Sequence, residues 1–489
     1  MIIYLENYKY EFELKVLLQS LTDSSMIKFD HLENYHPAAD DYLVFKRSKD
    51  KPESVICTGQ LEGKSIEAVD PIRSYEKSDK SSYKRIFYTI FSKFFDKKLD
   101  WGILTGIRPT KLFNEYNGFF QDKVERNRVF AEDFFVSAKK TDLLSYIDDI
   151  RQEKLAHINQ DNYSVYISVP FCPSKCSYCT FFSNDIKQKS HLTKAYMRAL
   201  EEEMDLVLKT SWADGRQVDS LYFGGGTPSS LNLSDLDDLL ETIDKIMDFS
   251  QIKEITFEAG RADTITLEKL KLIKSYGIDR ISINPQTMVG RTLEAIGRNH
   301  SEEDIVRSFY QAREAGFDNI NMDIILGLED ENLDDLNYTL SKILELKPDS
   351  VTMHSLALKR SSDLTKVISD NTKANQNKTV LDMTDFVYGQ MKASGYHPYY
   401  LYRQKNTLGG QENIGFSLKG KESLYNIFII EEYQHILAFG PGAVSRYVYP
   451  SENRMERVSN TKNLEEYINN IHKYANRKLE MQNEKNSKS

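Results

Sequence analysis

Three cysteines are clustered in the segment YISVPFCPSKCSYCTFF. Cys172 and Cys176 are separated by three residues, and Cys176 and Cys179 by two. Thiolates are the ligands that iron–sulfur clusters prefer, and a tight loop with these gaps can direct three sulfurs at one face of a cubane. A four-iron cluster needs four ligands, so one iron would lack a protein ligand, and an open metal position usually indicates chemistry. The pattern therefore predicts a reactive [4Fe-4S] cluster.

Two other interpretations of the cysteines stay open. Structural zinc takes four ligands, commonly from paired CxxC knuckles, whereas this sequence has no second knuckle and its nearest histidine is His191. The cysteines could also be incidental. A disulfide framework is not indicated, because the chain has four cysteines and three are clustered. The fourth, Cys57, lies in a strand-like run and is interpreted as a buried structural thiol.

Polar and glycine residues follow the ends of further predicted strands. The run LYFGGGTPS (221–229) ends the second strand, and its glycines let the backbone approach a ligand closely. Glu258 closes the third strand, and Gln286 and Arg298 follow the fourth. Asp323 is a charge inside an apolar strand, so it needs a partner, which a polar ligand can supply. A plain turn and structural salt bridges are the alternatives.

These residues fall in a region, 164 to about 358, where six strand patterns alternate with helical patterns. Several of the helical patterns end at Gly, Asn or Pro, as helix stops do. Repeated β–α units predict a parallel sheet with right-handed crossovers. Six units fit an incomplete barrel, open on one side, with ligands at the carboxyl ends of the strands.

The whole chain is predicted to be an α/β protein with three domains. Residues 1–160 form an N-terminal α+β accessory domain, in which the segment 84–97 has helical spacing. Residues 161–370 form the partial, TIM-like (β/α)6 barrel. Residues 371–489, which include a Tyr- and Gly-rich region, form a mainly helical C-terminal domain that covers the substrate.

Bulk properties exclude several classes of protein. The chain has 489 residues, of which 40% are hydrophobic and 28% charged, an ordinary composition for a soluble protein. The net charge of -9 argues against a nucleic-acid partner. No apolar run is long enough to span a membrane, and the first residues lack the layout of a signal peptide. A cytoplasmic location is therefore expected.

The motif CxxxCxΦC, with the aromatic Tyr178 at Φ, resembles that of the radical S-adenosyl-L-methionine (SAM) superfamily. The resemblance implies that SAM chelates the open iron and that the cluster donates one electron to the sulfonium. The C–S bond then breaks to give methionine and a 5′-deoxyadenosyl radical. The cofactor carries this chemistry while the protein orients it.

Over about 200 residues, the sequence resembles the oxygen-independent coproporphyrinogen III oxidase (HemN-like) family. The shared pieces are YxxxPFCxxxCxYC, GGGTP, the strand-three glutamate, ISxxxQ, GRNH, NxDxIxGL and the strand-six alanine. The resemblance implies that Cys172, Cys176 and Cys179 are the metal ligands, and that Tyr166 is catalytic. The residues implied to line the SAM site are Tyr166, Tyr178, Gly225, Gly226, Thr227, Glu258, Gln286, Arg298, Asp323 and Ala357.

The flanking segments WGILTGIRPTKL and YYLYRQKNTLGGQENIGF resemble the HemZ branch, the coproporphyrinogen dehydrogenases. This implies oxidative decarboxylation of two propionates of coproporphyrinogen III to vinyls, giving protoporphyrinogen IX in heme biosynthesis. A hydrogen atom would leave the propionate β-carbon, followed by CO2 and one electron. An electron donor such as flavodoxin or ferredoxin is implied as a partner.

Two positions depart from the best-characterised branch. Ser168 stands where that branch has a histidine, and Phe181 where it has a further cysteine. The second departure resembles the heme-chaperone branch, whose members share the core and lack the oxidase activity. The alternatives are therefore heme binding and delivery, or another radical modification of a tetrapyrrole. Candidate heme ligands are His300, His354, His397 and His435.

A tetracarboxylate substrate requires cationic groups near the barrel mouth. The candidates are Arg360, Arg403 and Lys405. Aromatic side chains could pack on the tetrapyrrole face, and the candidates are Tyr399, Tyr400 and Tyr402. A solvated charge and a local core cluster are the alternatives for these two groups.

Overall fold

The structure is a computed structural model that describes residues 1–22, 27–36, 41–120, 122–181, 183–357, 370–404 and 407–486. The chain forms two compact units, Met1–Asp149 and Ile150–Ser489. The segments 161–370 and 371–489, predicted as separate domains, therefore lie in one unit. No helix in the described ranges combines the length and the hydrophobicity that a membrane span requires.

The described part of the first unit contains a five-stranded sheet with the order β2-β1-β3-β4-β5. Its strands are β1 (Ile2–Leu5), β2 (Lys28–His31), β3 (Tyr42–Arg47), β4 (Ser54–Leu61) and β5 (Lys64–Pro71). The helices that begin in this unit are α1 (Glu11–Leu21), α2 (Lys80–Phe94), α3 (Pro109–Glu115), α4 (Lys123–Glu132) and α5 (Ala138–Leu155). Helix α2 contains most of the segment predicted as helical, and its buried aromatic residues pack towards α1, β4 and β5. Cys57, on β4, is fully buried, as predicted.

In the second unit, the described residues form an eleven-stranded sheet with the order β14-β15-β13-β12-β11-β10-β9-β6-β16-β17-β18. Its strands up to residue 355 are β6 (Tyr163–Val169), β9 (Val218–Gly225), β10 (Glu254–Gly260), β11 (Arg280–Ile283), β12 (Asn319–Leu326) and β13 (Ser350–Ser355), with the short pair β7 (Phe171–Cys172) and β8 (Asn184–Asp185) separate from it. These six strands are parallel and adjacent, which confirms the predicted arc of β–α units.

Helices connect the parallel strands. They are α6 (Ile186–Lys189), α7 (Thr193–Leu208), α8 (Leu233–Met247), α9 (Leu267–Ser275), α10 (Gly290–Ala295), α11 (Glu302–Glu314) and α12 (Leu333–Leu346). In α8, the buried Leu236, Leu239, Leu240 and Ile243 follow the helical period and form one apolar face of the helix. Helix α11 begins with a capping box of Ser301 and Asp304, which satisfies two backbone donors that the first turn leaves unpaired.

The C-terminal segment differs in detail from the mainly helical prediction. Its described residues contain the helices α13 (Asp370–Ala393), α14 (Leu424–Glu431), α15 (Leu464–Asn469) and α16 (Ile471–Asn486). They also contain the strands β14 (His397–Arg403), β15 (Glu412–Ser417), β16 (His435–Phe439), β17 (Val444–Tyr449) and β18 (Arg454–Ser459). Strand β15 pairs with β13, and β16 pairs with β6. The segment therefore satisfies the backbone groups at both edges of the open arc, which would otherwise be exposed.

Candidate active site

The carboxyl ends of the parallel strands surround a cavity of about 330 Å³. All of the residues predicted to hold the cluster or SAM line it. They are Tyr166, Cys172, Cys176, Tyr178, Cys179, Gly225, Gly226, Thr227, Glu258, Gln286, Arg298, Asp323 and Ala357. The β/α topology explains this convergence, because residues that follow successive parallel strands meet at one edge of the sheet.

The cysteine loop is attached to the glycine-rich turn by backbone hydrogen bonds. The Gly226 and Thr227 amides donate to the carbonyls of Val169 and Phe171, at 2.8 and 2.7 Å. A Cβ atom at Gly226 would lie 2.5 Å from the Phe171 oxygen, so this close approach requires glycine. The Thr227 hydroxyl lies 3.4 Å from the Cys172 sulfur. The second-strand glycines thus fix the loop that carries the three cysteines.

Cys176 is buried and Cys172 and Cys179 are half-buried, all beside positive charge. Burial raises the pKa of the Cys172 and Cys179 thiols, while Arg261 and Arg298 favour the thiolates. The described residues contain no group of three or more His, Cys, Asp or Glu side chains placed to hold one metal ion. In a four-iron cluster each thiolate instead binds its own iron. Three thiols in one cavity near guanidinium groups are a donor set that fits such a cluster.

Two half-buried carboxylates, Glu258 on β10 and Asp323 on β12, line the cavity. Glu258 accepts a 2.5 Å hydrogen bond from the Tyr222 hydroxyl, and its burial raises its pKa to about 7. Burial also opposes ionisation of Asp323, yet contacts with His354 and Asn321 hold the pKa of Asp323 below its usual value. The His354 Nε2 atom lies 3.7 Å from the Asp323 carboxylate, and Asn321 donates to it at 2.7 Å. The structure thus supplies protein partners for Asp323 in addition to any ligand.

Two more of the predicted residues carry polar atoms that have no hydrogen-bond partner. The Gln286 Oε1 and Arg298 Nε atoms are buried and unpaired among the described residues. Gln286 also has a φ of 68°, which non-glycine residues rarely adopt. The backbone N–H of Gln286 donates to the backbone carbonyl of Asp323 at 2.9 Å, so β12 holds this conformation. Buried unpaired polar atoms are costly, and a polar ligand such as SAM would satisfy them.

An aromatic stack lies behind this ligand site. The rings of Tyr166 and Tyr222 stack with centroids 6.0 Å apart, and those of Tyr222 and Tyr425 with centroids 4.5 Å apart. Tyr425 is buried and the other two tyrosines are half-buried, and burial keeps the pKa of Tyr166 well above its usual value. Tyr166 therefore presents a neutral phenol to the cavity.

Several residues that line the cavity were not predicted from the sequence. Arg261 follows Glu258 by three residues, so its place at the end of the same strand was an available signal. Asn284, Gln404 and Asn413 also line the cavity, and β-strand pairing brings the last two there.

His354, considered only as a heme ligand, sits in an apolar strand as Asp323 does. The argument used for Asp323 would have found it.

Among the residues predicted to contact the substrate, one lines the cavity and the others do not or lie outside the described residues. Tyr402 lines the cavity, with its hydroxyl 3.4 Å from His354 Nδ1. Tyr399 and Tyr400 belong to a hydrophobic core cluster, so the core alternative holds for them. Arg403 is absent from the described cavity lining and donates to the Gly410 carbonyl at 3.1 Å. Arg360 and Lys405 lie outside the described residues.

The two positions that depart from the best-characterised branch also differ in their surroundings. The Ser168 hydroxyl is buried and donates to the Pro441 carbonyl at 2.8 Å. Phe181 lines the cavity and is 68% exposed, so it stands at the mouth. Of the four candidate heme ligands, His354 alone is among the described residues that line the cavity.

Comparison with known proteins agrees with these features. Residues 166–343 match the radical SAM superfamily. The chain is 36% identical over 450 residues to the oxygen-independent coproporphyrinogen-III oxidase-like protein HemZ of Bacillus subtilis, and the match covers 90% of each chain. It is 31% identical over 283 residues to the heme chaperone HemW of the same organism, covering 57% of this chain and 70% of HemW.

A solved structure shares the fold. Coproporphyrinogen III oxidase (HemN) from Escherichia coli, a radical SAM enzyme, superposes with a TM-score of 0.50. The superposition covers 68% of this chain and 73% of HemN, at 22% sequence identity. At this identity the likeness establishes the fold, and with it the partial barrel.

Proposed function

This chain belongs to the oxygen-independent coproporphyrinogen III oxidase-like family of the radical SAM superfamily, and from that premise we propose that it converts coproporphyrinogen III to protoporphyrinogen IX. Proteins of this superfamily use a [4Fe-4S] cluster and SAM. The observation that carries the proposal is the convergence of every predicted cluster and SAM residue on one cavity that contains unpaired buried polar atoms.

The proposed ligands of the cluster are Cys172, Cys176 and Cys179. The proposed SAM contacts are Tyr166, Tyr178, Gly225, Gly226, Thr227, Glu258, Gln286, Arg298, Asp323 and Ala357. When bound, the cluster and SAM supply a carbon radical that can remove a hydrogen atom from a substrate propionate. The propionate then loses CO2 and passes one electron to an acceptor, which leaves a vinyl group.

The residues of this chain would bind, orient and shield these groups. Glu258, with a pKa raised to about 7 by burial, gains stabilisation as a carboxylate when a cationic ligand group lies beside it. The unpaired Gln286 and Arg298 atoms would satisfy polar atoms of the ligand. The barrel wall excludes water, which would otherwise compete for these contacts.

The proposed substrate contacts come from the side of the cavity formed by β13, β14 and β15. His354, Tyr402 and Asn413 offer polar groups to propionates there. Phe181, exposed at the mouth, offers an aromatic face to a pyrrole ring. A flavodoxin or a ferredoxin is the proposed electron donor, in the cytoplasm, where thiols stay reduced.

Anaerobic turnover tests this proposal. Protein reconstituted with iron and sulfide is reduced, freed of excess reductant and mixed with SAM, coproporphyrinogen III and an oxidised one-electron acceptor. We expect 5′-deoxyadenosine, CO2, the monovinyl intermediate and protoporphyrinogen IX, and none of these from Cys176→Ala, which should also contain less iron. SAM cleavage with unchanged coproporphyrinogen would contradict the proposed substrate, and full iron content in the variant would contradict the ligand assignment.

Heme binding and delivery is a second candidate. It is favoured by Phe181 at the position of the further cysteine, and by a cavity that offers His354 as a ligand. The expected result is stoichiometric heme binding whose Soret band shifts in His354→Ala, with no decarboxylation. Turnover of coproporphyrinogen III would exclude this as the main function.

A further inference from the structure

Arg261 lies directly after β10 and points its guanidinium at the cysteine loop. Its Nη1 group donates to the Cys176 sulfur at 3.6 Å and to the Ser174 hydroxyl at 2.8 Å. The Arg261 side chain is only 3% exposed. A buried positive charge is therefore in contact with one of the three cysteine sulfurs.

An ion pair fixes the orientation of this guanidinium. Arg261 donates from Nε and Nη2 to the two Asp263 carboxylate oxygens, at 3.0 and 2.8 Å. His300 Nδ1 lies 3.6 Å from the same carboxylate. Two parallel hydrogen bonds hold an arginine more rigidly than a single contact does. Because Nε and Nη2 are bound to Asp263, the remaining Nη1 group is directed at Cys176.

The three cysteines are not equivalent in their surroundings. Cys176 is close to two guanidiniums, because Arg298 also acts on it. Cys172 instead has a neutral hydroxyl group, that of Thr227, at 3.4 Å. Cys172 and Cys179 are each influenced by one of these arginines through charge alone, whereas both guanidiniums reach the Cys176 sulfur as hydrogen-bond donors. Arg298 is already assigned to the proposed SAM site, whereas no part of the proposed function uses Arg261.

We propose that Arg261 is a positioning residue that raises the reduction potential of the cluster through its N–H···S contact with Cys176. The proposal rests on the proposed function in one respect, namely that the three cysteines hold a [4Fe-4S] cluster. One electron from an external low-potential donor converts the oxidised cluster to the reduced cluster, which carries one more negative charge. A buried guanidinium and a hydrogen bond to sulfur both favour the more negative state.

The test is an anaerobic redox titration of the full-length, cluster-loaded protein without SAM. The reduced cluster is followed by its electron paramagnetic resonance signal as dithionite is added in the presence of mediators. We expect Arg261→Gln to have a lower midpoint potential than the wild type. Arg261→Lys keeps the charge but lacks the paired N–H donors that bind Asp263, so its midpoint potential should lie between those of Arg261→Gln and the wild type. A wild-type or higher potential in Arg261→Gln would overturn the proposal.

A matched control separates this contact from a general loss of charge. Arg291 is 59% exposed in its side chain and pairs with Asp335, so Arg291→Gln removes the same charge at the surface. Its potential should equal that of the wild type, and an equal drop would also overturn the proposal. If Arg261→Gln takes up too little iron to titrate, Arg261→Lys decides, and a wild-type potential there refutes the contact.

The titration distinguishes failure of the proposed cluster from failure of the proposed role of Arg261. A wild-type protein that fails to take up four irons, or shows no signal of a reduced cluster, contradicts the proposed function itself. A loaded wild type with variants of unchanged potential contradicts the role of Arg261 alone.

Discussion

Two glutamates in the second unit have opposite surroundings, since Glu203 is fully buried and Glu258 is half-buried in the cavity. Each oxygen of the Glu203 carboxylate accepts two hydrogen bonds: Oε1 from Lys478 and Asn460, and Oε2 from Tyr467 and the Gly440 amide. Glu258, in the cavity, accepts a single described side-chain hydrogen bond, from Tyr222.

The contrast separates a structural charge from one that is available to a ligand. The Glu203 network joins α7, α16 and the turn after β16, and its hydrogen-bonding capacity is used within the protein. Glu258 retains capacity and has a pKa raised to about 7 by burial. Saturated carboxylates stabilise folds, whereas unsaturated ones mark sites where a bound group completes the network.

The largest expected effect comes from breaking the saturated network. Lys478→Met leaves the Glu203 charge buried without its cation, and should lower the free energy of unfolding by about 3–5 kcal/mol. Unfolding of the second unit can be followed by the fluorescence of Trp212, with Trp101→Phe as background. A loss below about 1 kcal/mol, the level of a surface ion pair, would contradict the structural role given to the Glu203 network.

The pH dependence of stability gives the next largest effect. The pKa of Glu258 is raised by burial from 4.5 to about 7, so the folded protein binds the extra proton more tightly than the unfolded chain does. Its contribution is fully present below pH 4.5, and is lost as the pH rises to about 7. Between these limits the wild type should lose about 3 kcal/mol relative to Glu258→Gln. Parallel pH profiles of the two proteins would refute this.

A smaller effect is expected at Asp323, whose carboxylate has protein partners and faces the cavity. Asp323→Asn should weaken SAM binding about tenfold, equivalent to ~1.4 kcal/mol, and leave the iron content unchanged. Calorimetry with loaded protein measures the affinity. Asn321→Ala, which removes only one of the contacts of Asp323, should change the affinity less. Equal affinity in Asp323→Asn and the wild type would exclude a ligand role.

The smallest effect has the opposite sign. Gln286→Met keeps the length of the side chain and removes the buried, unpaired Oε1 atom. Ligand-free protein should gain about 1 kcal/mol of stability, while SAM binding weakens severalfold. A loss of stability in the Trp212 fluorescence assay would show that the Gln286 amide is already satisfied.

The sequence predicted the features that repeat locally. Short apolar strands alternating with amphipathic helices predict a parallel sheet, and residues that follow those strands predict a shared site. Glu258 and Asp323 could be placed together on this basis, before their contacts were known, whereas Tyr166 was placed there only by the family resemblance. The cysteine spacing, three and then two residues, also predicted an iron–sulfur cluster, and the resemblance of the motif to the radical SAM superfamily added SAM.

The features that escaped prediction depend on contacts between distant parts of the chain. Strand β16 pairs with β6 although His435 and Tyr163 are far apart in sequence, and no local pattern indicates that partner. The contact between Arg261 and Cys176 joins residues 85 positions apart. Tyr399 and Tyr400 were ambiguous for the same reason, because only the packing of Ile427 and Phe428 against them identifies a core.

The pairing of β15 and β16 with the two ends of the parallel arc limits the routes by which a ligand can reach the cavity. Because main-chain ladders continue past both ends of the arc, widening it between those strands would break several hydrogen bonds at once. A ligand would therefore reach the cavity from the carboxyl ends of the strands, where the lining side chains lie, and not through a gap between strands of the wall.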